Sequence, residues 1–269
     1  MLTWLKQLDR ILRGEATRVS VLRAGTIDVP ARGLVVLIIL LGFIYGLCMG
    51  SFAVTGSGSG APMQIPAAMV KVPALFLLTL LVTFPSLYVF NALVGSRLSF
   101  LSLLRLLVAA IAVMLSVLAS LGPIVAFFGV STTTPSPGGA YSFILLLNVA
   151  VFAVSGFLGL GFLLQTLHRL TIAQYELDPT APPPVPASPD SALPTPPPGA
   201  LDRATPRPPA PNVYAVFRIW VIVYGLVGAQ MAWILRPFVG RPGAPFEWFR
   251  HRGSNFFQGV WAAIQHLIS

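Results

Sequence analysis

The sequence is almost without acidic residues where a soluble protein would need them. Residues 29–175 contain no aspartate or glutamate, and 9% of the 269 residues are charged while 55% are hydrophobic. Soluble domains average about 25% charged residues, because a folded surface has to be hydrated. This shortage excludes an ordinary soluble domain and indicates an integral membrane protein.

Groups that carry acid–base or metal chemistry are scarce as well. No aspartate, glutamate or histidine lies at the centre of an apolar run, which argues against proton relays and acid–base catalysis within a bilayer. His168, His251 and His266 are far apart, and Cys48 is the single cysteine, so neither a metal site nor an intrachain disulfide is expected. P-loop, GxSxG and HExxH motifs are missing. The sequence therefore predicts a non-enzymatic protein without catalytic residues, metal or cofactor.

Five apolar runs are long enough to cross the roughly 30 Å hydrocarbon core of a bilayer. They predict an all-α, polytopic helical bundle whose spans cover residues 34–53, 72–94, 106–128, 141–167 and 213–235. The first run is longer than the apolar part of a signal peptide, so we interpret it as an uncleaved anchor. Pro85 and Pro123 are expected to kink the second and third spans.

The spans divide the chain into five predicted regions. These are a basic amphipathic N-terminal arm (1–33), spans one to four (34–167), a proline-rich loop (168–212), span five (213–236) and an arginine and aromatic tail (237–269). In the arm, Leu5, Leu8 and Leu12 recur at helical spacing, which predicts a helix in the membrane interface or on the protein's own cytoplasmic face. The proline-rich loop holds more than half of the 25 prolines and is expected to be extended and disordered.

Basic residues flank the spans mainly on one side, and this asymmetry predicts the orientation. The arm, the proline-rich loop and the loop with Arg97 and Arg105 would face the cytoplasm, whereas the loops opposite hold only Lys71. The abundance of Arg, Ala, Gly and Pro is typical of a GC-rich bacterial genome, so we expect a bacterial inner-membrane protein with a cytoplasmic N-terminus. We assign the +9 net charge to contact with anionic lipid at the cytoplasmic face, and not to nucleic acid.

The tail is the exception to this orientation. Five spans place it opposite the N-terminus although it is rich in arginine, so either the tail breaks the rule or the span count is off by one. The candidate residues for binding lipid phosphates or an acidic partner surface are Arg236, Arg241, Trp248, Arg250 and Arg252. The alternative is an aromatic belt with snorkelling cations. Residues 256–268 place apolar side chains on one face, which predicts an amphipathic helix lying flat on the membrane.

Small residues four positions apart mark three spans as close-packing faces. The helix-packing candidates are Gly42, Gly46 and Gly50 in span one, Ser155 and Gly159 in span four, and Gly225 and Ala229 in span five. Packing within one bundle is favoured over a homo-oligomer or a membrane-protein partner. Mild polar residues inside the spans are candidates for interhelical hydrogen bonds or for a polar path, namely Thr79, Asn91, Ser120, Asn148 and Gln230.

Three segments resemble a group of uncharacterised bacterial multi-pass inner-membrane proteins. They are residues 44–51, residues 70–79 with 85–91, and residues 228–238. The five-span plan with a polar N-terminus also resembles, distantly, the Yip1-type membrane proteins, although the acidic residue expected beside Tyr45 and Gly46 is missing. This resemblance implies a link to membrane trafficking and shaping, and it supplies no catalytic residue.

Two functions follow from the sequence. The first is a non-enzymatic scaffold or assembly component that organises the membrane, as the small-residue faces, amphipathic ends and missing catalytic groups suggest. The alternative is a channel or carrier subunit for a neutral or anionic solute, based on the proline-containing spans and their polar faces. An enzyme that acts on lipids ranks third and depends on the tail arginines.

Overall fold

The computed structural model describes most of the chain as helix. The described residues are 2–15, 31–55, 61–93, 100–132, 137–176, 212–240, 246–250 and 253–268. In chain order the α-helices are α1 (Leu2–Leu12), α2 (Ala31–Gly50), α3 (Ala61–Leu93), α4 (Phe100–Ser131), α5 (Pro137–Glu176), α6 (Asn212–Leu235) and α7 (Phe256–Ile268). A short 3₁₀-helix, Ser51–Thr55, continues α2. No β-strand occurs in these ranges, so the predicted all-α class is confirmed for them.

Helices α2 to α6 are each long and apolar enough to cross a membrane, as predicted. The apolar stretches are Arg32–Ala53, Met63–Leu93, Phe100–Ser131, Gly139–Arg169 and Ala215–Leu235. The final helix, α7, has 13 residues. It is shorter than the roughly 20 residues that a span requires, so the described tail adds no sixth crossing.

Three helices extend beyond the predicted spans. The glycine- and proline-rich segment that we expected to be a loop becomes helical at Ala61, so Lys71 lies inside α3. Similarly, α4 already includes Arg105, and α5 continues to Glu176. Hydropathy marks only the part of a helix that lies in hydrocarbon, and a proline such as Pro62 is tolerated in the first turn. The proline-rich residues 177–211 lie outside the described residues.

Helix α2 forms the centre of the bundle, with α3 along one side and α4 along another. Its glycines face α3 and allow the two backbones to approach closely. A Cβ atom at Gly46 would lie 2.6 Å from both the Ala68 carbonyl oxygen and Met69 Cα. Gly42 receives the ring of Pro73, which would lie 2.9 Å from such a Cβ, and Gly50 faces the start of α3 in the same way. The small-residue face of α2 is therefore covered by the same chain.

The small residues of α5 face α4. The Ser155 hydroxyl donates a hydrogen bond of 2.8 Å to the Met114 carbonyl oxygen. One turn further on, a Cβ atom at Gly159 would lie 2.2 Å from Met114 Cγ and 3.2 Å from the Ala110 carbonyl oxygen. These contacts hold α5 against α4 and use a second predicted small-residue face within the bundle.

Helix α6 packs mainly on α3 and touches α5 at few points. The indole nitrogen of Trp220 donates to the Thr83 carbonyl oxygen at 3.1 Å, and Gly228 lies beside Thr79. By contrast, a Cβ atom at Gly225 would have no atom within 4 Å. At Gly225 the predicted small-residue face of α6 is therefore not covered by another helix, and α5 and α6 contact each other at few points.

The two ends of the bundle carry different attachments. At one end α1 packs on α2 and α4 through Leu8 and Ile11, while Leu5 and Leu12 stay exposed. At the other end the tail folds back on α3, and α7 rests on α5 and α6. The Trp233 ring lies so close to Gly259 that a Cβ there would be 2.2 Å from it, which fixes α7 against α6.

Candidate functional site

Lys71 is the centre of a site that joins the start of α3 to the tail. Its side chain is 3% exposed, and its ammonium donates hydrogen bonds to the carbonyl oxygens of Pro237, at 3.0 Å, and of Trp248. The ammonium also lies 5.8 Å from the ring centre of Trp248 and 5.3 Å from that of Phe249. A buried lysine of this kind is stable only because oriented carbonyl groups and ring faces replace its water.

Gln64, about two helical turns before Lys71 on α3, binds the same segment of the tail. Its Nε2 donates to the carbonyl oxygens of Pro237, at 3.0 Å, and of Phe238, at 2.9 Å. Residues seven apart lie on one face of a helix, so Gln64 and Lys71 approach the tail together. We call these two side chains and the carbonyl groups of Pro237, Phe238 and Trp248 the tail-docking site.

The positive charge of Lys71 is stabilised by neutral dipoles and aromatic rings. The ion pairs between described residues, Arg10–Glu15 and Arg13–Asp9, lie beside α1 at the opposite end of the bundle. In the described part of the chain the contacts of Lys71 are with carbonyl oxygens and aromatic rings. The tail-docking site is therefore a fixed arrangement of dipoles around one cation.

The docked tail places Arg236 and Arg250 next to each other. The Arg250 amide donates to the Arg236 carbonyl oxygen at 3.1 Å, and the Arg236 guanidinium lies 3.6 Å from the ring centre of Trp233. Burial lowers the pKa of Arg236, and the nearby positive charge of Arg250 lowers it further. Their clustering creates a local positive field at the end of α6.

Sequence reasoning missed Lys71 and Gln64 as site residues, because they lie in a segment that we assigned to a loop. The available signal was that Lys71 is the lone charged residue between Arg32 and Arg97. A solitary ionisable residue within a membrane segment is a functional candidate by default. Of the predicted tail residues, the structure places Arg236, Trp248 and Arg250 together with Lys71, whereas Arg241 and Arg252 lie outside the described residues.

A cavity of about 730 Å³ lies between α3, α4, α5 and α6 and ends at α7. Because α5 and α6 touch at few points, the cavity opens sideways between them. At this mouth Phe157 of α5 is 75% exposed, and Gly156 and Gly225 both have free space where a side chain would be. We call this space the lateral cavity.

The lateral cavity is apolar along most of its length and polar at one end. Leu75, Phe76 and Phe152 are typical of its walls. The polar end has Arg236, Arg250, Tyr141 and His266. Along α6 the cavity runs from Trp220 to Arg236, which is about 24 Å at a rise of about 1.5 Å per residue. An apolar slot with charged groups at one end has the polarity of an amphipathic molecule.

The five candidate polar-path residues do not form one path. Thr79 and Asn148 line the lateral cavity. Asn91 is buried near the other end of α3, Ser120 is exposed on the outside of α4, and Gln230 is half-buried outside the cavity lining. Most of the polar groups are used locally, as where Thr79 donates to the Leu75 carbonyl oxygen at 2.7 Å. A buried hydroxyl on the cavity wall, that of Tyr224, has no hydrogen-bond partner among the described residues.

The hydrogen bond between Tyr45 and Asn148 supports the cavity wall and yields a prediction. The Tyr45 hydroxyl donates to Asn148 Oδ1 at 2.8 Å, and both side chains are buried. Tyr45→Phe is expected to lower stability by about 1–2 kcal/mol, since a buried acceptor loses its donor. Thermal unfolding of the detergent-solubilised protein measures this change. Tyr88→Phe is the control, since Tyr88 is partly exposed, and equal midpoints for both variants would contradict the prediction.

Comparisons with known proteins give no further assignment. No protein-family model, curated protein or solved structure matches this chain. The resemblance described from the sequence therefore stays a prediction. Within the described ranges no group of three or more His, Cys, Asp or Glu side chains is placed to hold a metal ion.

Proposed function

We propose that the chain is a non-enzymatic membrane protein that organises its bilayer as a scaffold or assembly component. In this proposal it resides in a bacterial inner membrane with α1 at the cytoplasmic face, and the tail-docking site lies at the opposite face. The lateral cavity is the observation that supports it most. Its mouth faces the hydrocarbon between α5 and α6, so it offers an apolar molecule in the bilayer a place to bind.

The dispersal of the polar residues supports a scaffold over a channel. A conducting path needs polar groups that follow one another across the membrane. Thr79 and Asn148 line the cavity, but Ser120 faces outward and Asn91 is buried elsewhere. The centre of the bundle is closed by apolar contacts, with Leu115 and Leu118 fully buried on α4.

Reconstitution into liposomes tests this proposal. We expect glycerol and chloride to leave protein-containing liposomes no faster than protein-free ones, because the polar groups form no continuous path. We also expect the protein to change lipid order, measured by the anisotropy of a bilayer probe, relative to an inert multi-span protein at equal density. Robust flux of either solute would overturn the scaffold in favour of a channel or carrier. Unchanged lipid order would also count against it.

A further inference from the structure

We infer that the lateral cavity binds one anionic phospholipid, with an acyl chain between α5 and α6 and the phosphate at Arg236 and Arg250. This inference rests on the proposed function and names the molecule that the cavity takes. It is carried by the juxtaposition of a long apolar slot and two arginine residues at one end of it.

The dimensions of the cavity fit a lipid chain. Its length of about 24 Å along α6 exceeds the roughly 15 Å depth of one leaflet, which is half of the hydrocarbon core. Its volume of about 730 Å³ lies within the range of about 300–1,000 Å³ that is usual for ligand pockets. The mouth at Gly156 and Gly225 opens toward the bilayer, so a chain can enter sideways without leaving hydrocarbon.

The charges at the polar end select the headgroup. Arg250 is held next to Arg236 by a main-chain hydrogen bond, and both residues line the cavity. Planar guanidinium groups bind phosphate oxygens in pairs, which suits a phosphodiester between two arginines. The α6 helix ends at Leu235, so this cluster lies where a span reaches the headgroup region. A headgroup with a net negative charge is favoured over a zwitterionic headgroup, because two arginine cations meet one phosphate.

The tail-docking site keeps this headgroup site in place. Lys71 binds the carbonyl oxygens of Pro237, which directly follows Arg236, and of Trp248, which lies two residues before Arg250. Lys71 is thus a positioning residue that holds Arg236 and Arg250 over the cavity. The lipid then lies between α5 and α6, two helices that contact each other little, with its headgroup at the tail.

Native mass spectrometry of the full chain in detergent, titrated with dioleoyl phosphatidylglycerol, tests the inference. Arg250→Gln is expected to weaken binding about tenfold, and Ala229→Phe, which fills the cavity from α6, is expected to weaken it at least as much. The control for Arg250→Gln is Arg218→Gln, an exposed arginine near the start of α6, and the control for Ala229→Phe is Leu226→Phe on the outer face of α6. Thermal unfolding of each variant verifies that it is folded.

Two further titrations test whether the site recognises an anionic phospholipid or free phosphate. Dioleoyl phosphatidylcholine, which has the same chains and no net charge, should bind more weakly, and inorganic phosphate should not displace phosphatidylglycerol. The inference is overturned if either substitution behaves like its control, or if inorganic phosphate displaces the lipid. If lipid binding fails in this way but the liposomes show no solute flux, the scaffold proposal is retained. If the liposomes show flux, the scaffold proposal is rejected, whatever the lipid-binding result.

Discussion

Replacing Gly46 with valine is expected to destabilise the protein by about 3 kcal/mol, at the upper end of the range for an overpacked core. A Cβ atom added at this position would lie 2.6 Å from backbone atoms of Ala68 and Met69. Backbone cannot rotate away as a side chain can, so α2 and α3 would have to separate. In a thermal unfolding measurement this corresponds to a midpoint about 6–12 °C lower.

Gly225→Val provides the matched control, because Gly225 lies in the same kind of small-residue pattern. A Cβ there meets nothing within 4 Å. We expect this variant to stay within about 0.5 kcal/mol of the parent protein. Similar losses of stability in both variants would show that the close approach of α2 and α3 does not limit the fold. A loss at Gly225 alone would place the critical helix contact on α6.

Lys71→Met is expected to release the tail while leaving the five-helix bundle intact. The substitution removes hydrogen bonds from an ammonium group to two carbonyl oxygens, and bonds of this type contribute about 1.5–3 kcal/mol each. Methionine fills similar space without a buried charge, so the bundle itself loses little. The main-chain amide of Arg250, which bonds to Arg236, should exchange its hydrogen about 10- to 100-fold faster.

Hydrogen exchange followed by mass spectrometry measures this release on peptides covering residues 236–250. Lys6→Met is the control, since Lys6 is the other lysine of the chain and is exposed on α1. Exchange in α2 and α4 should remain slow in both variants. If the tail peptides exchange equally in the Lys71→Met and Lys6→Met proteins, the tail is held by contacts other than those of Lys71.

Much of the architecture was readable from composition and pattern. An uninterrupted apolar run of about 20 residues satisfies its backbone hydrogen bonds in lipid as a helix, so the class and the five spans follow from elementary requirements. The amphipathic pattern of residues 256–268 likewise predicts α7. The helix ends were harder to predict, because the start of α3 contains prolines, follows a glycine- and serine-rich segment and lies before the predicted apolar span.

The candidate site was harder to predict from the sequence than the fold, for two reasons. Spacing identifies a small-residue face but not what lies opposite, so Gly46 and Gly225 have the same pattern although one faces backbone and the other open space. The tail-docking site joins Lys71 to Pro237, which is 166 residues away. No local pattern encodes such a pairing. The lateral cavity also follows from how far apart α5 and α6 lie, which depends on the packing of all the helices.

The tail-docking site has a consequence for the order in which the protein is made. Lys71 enters the membrane with the second span, but the carbonyl groups that receive it belong to residues translated after the fifth. Until Pro237 and Trp248 have been translated, the Lys71 ammonium group therefore lacks the carbonyl acceptors that it has in the folded protein. Chains that stop before the tail keep this defect permanently.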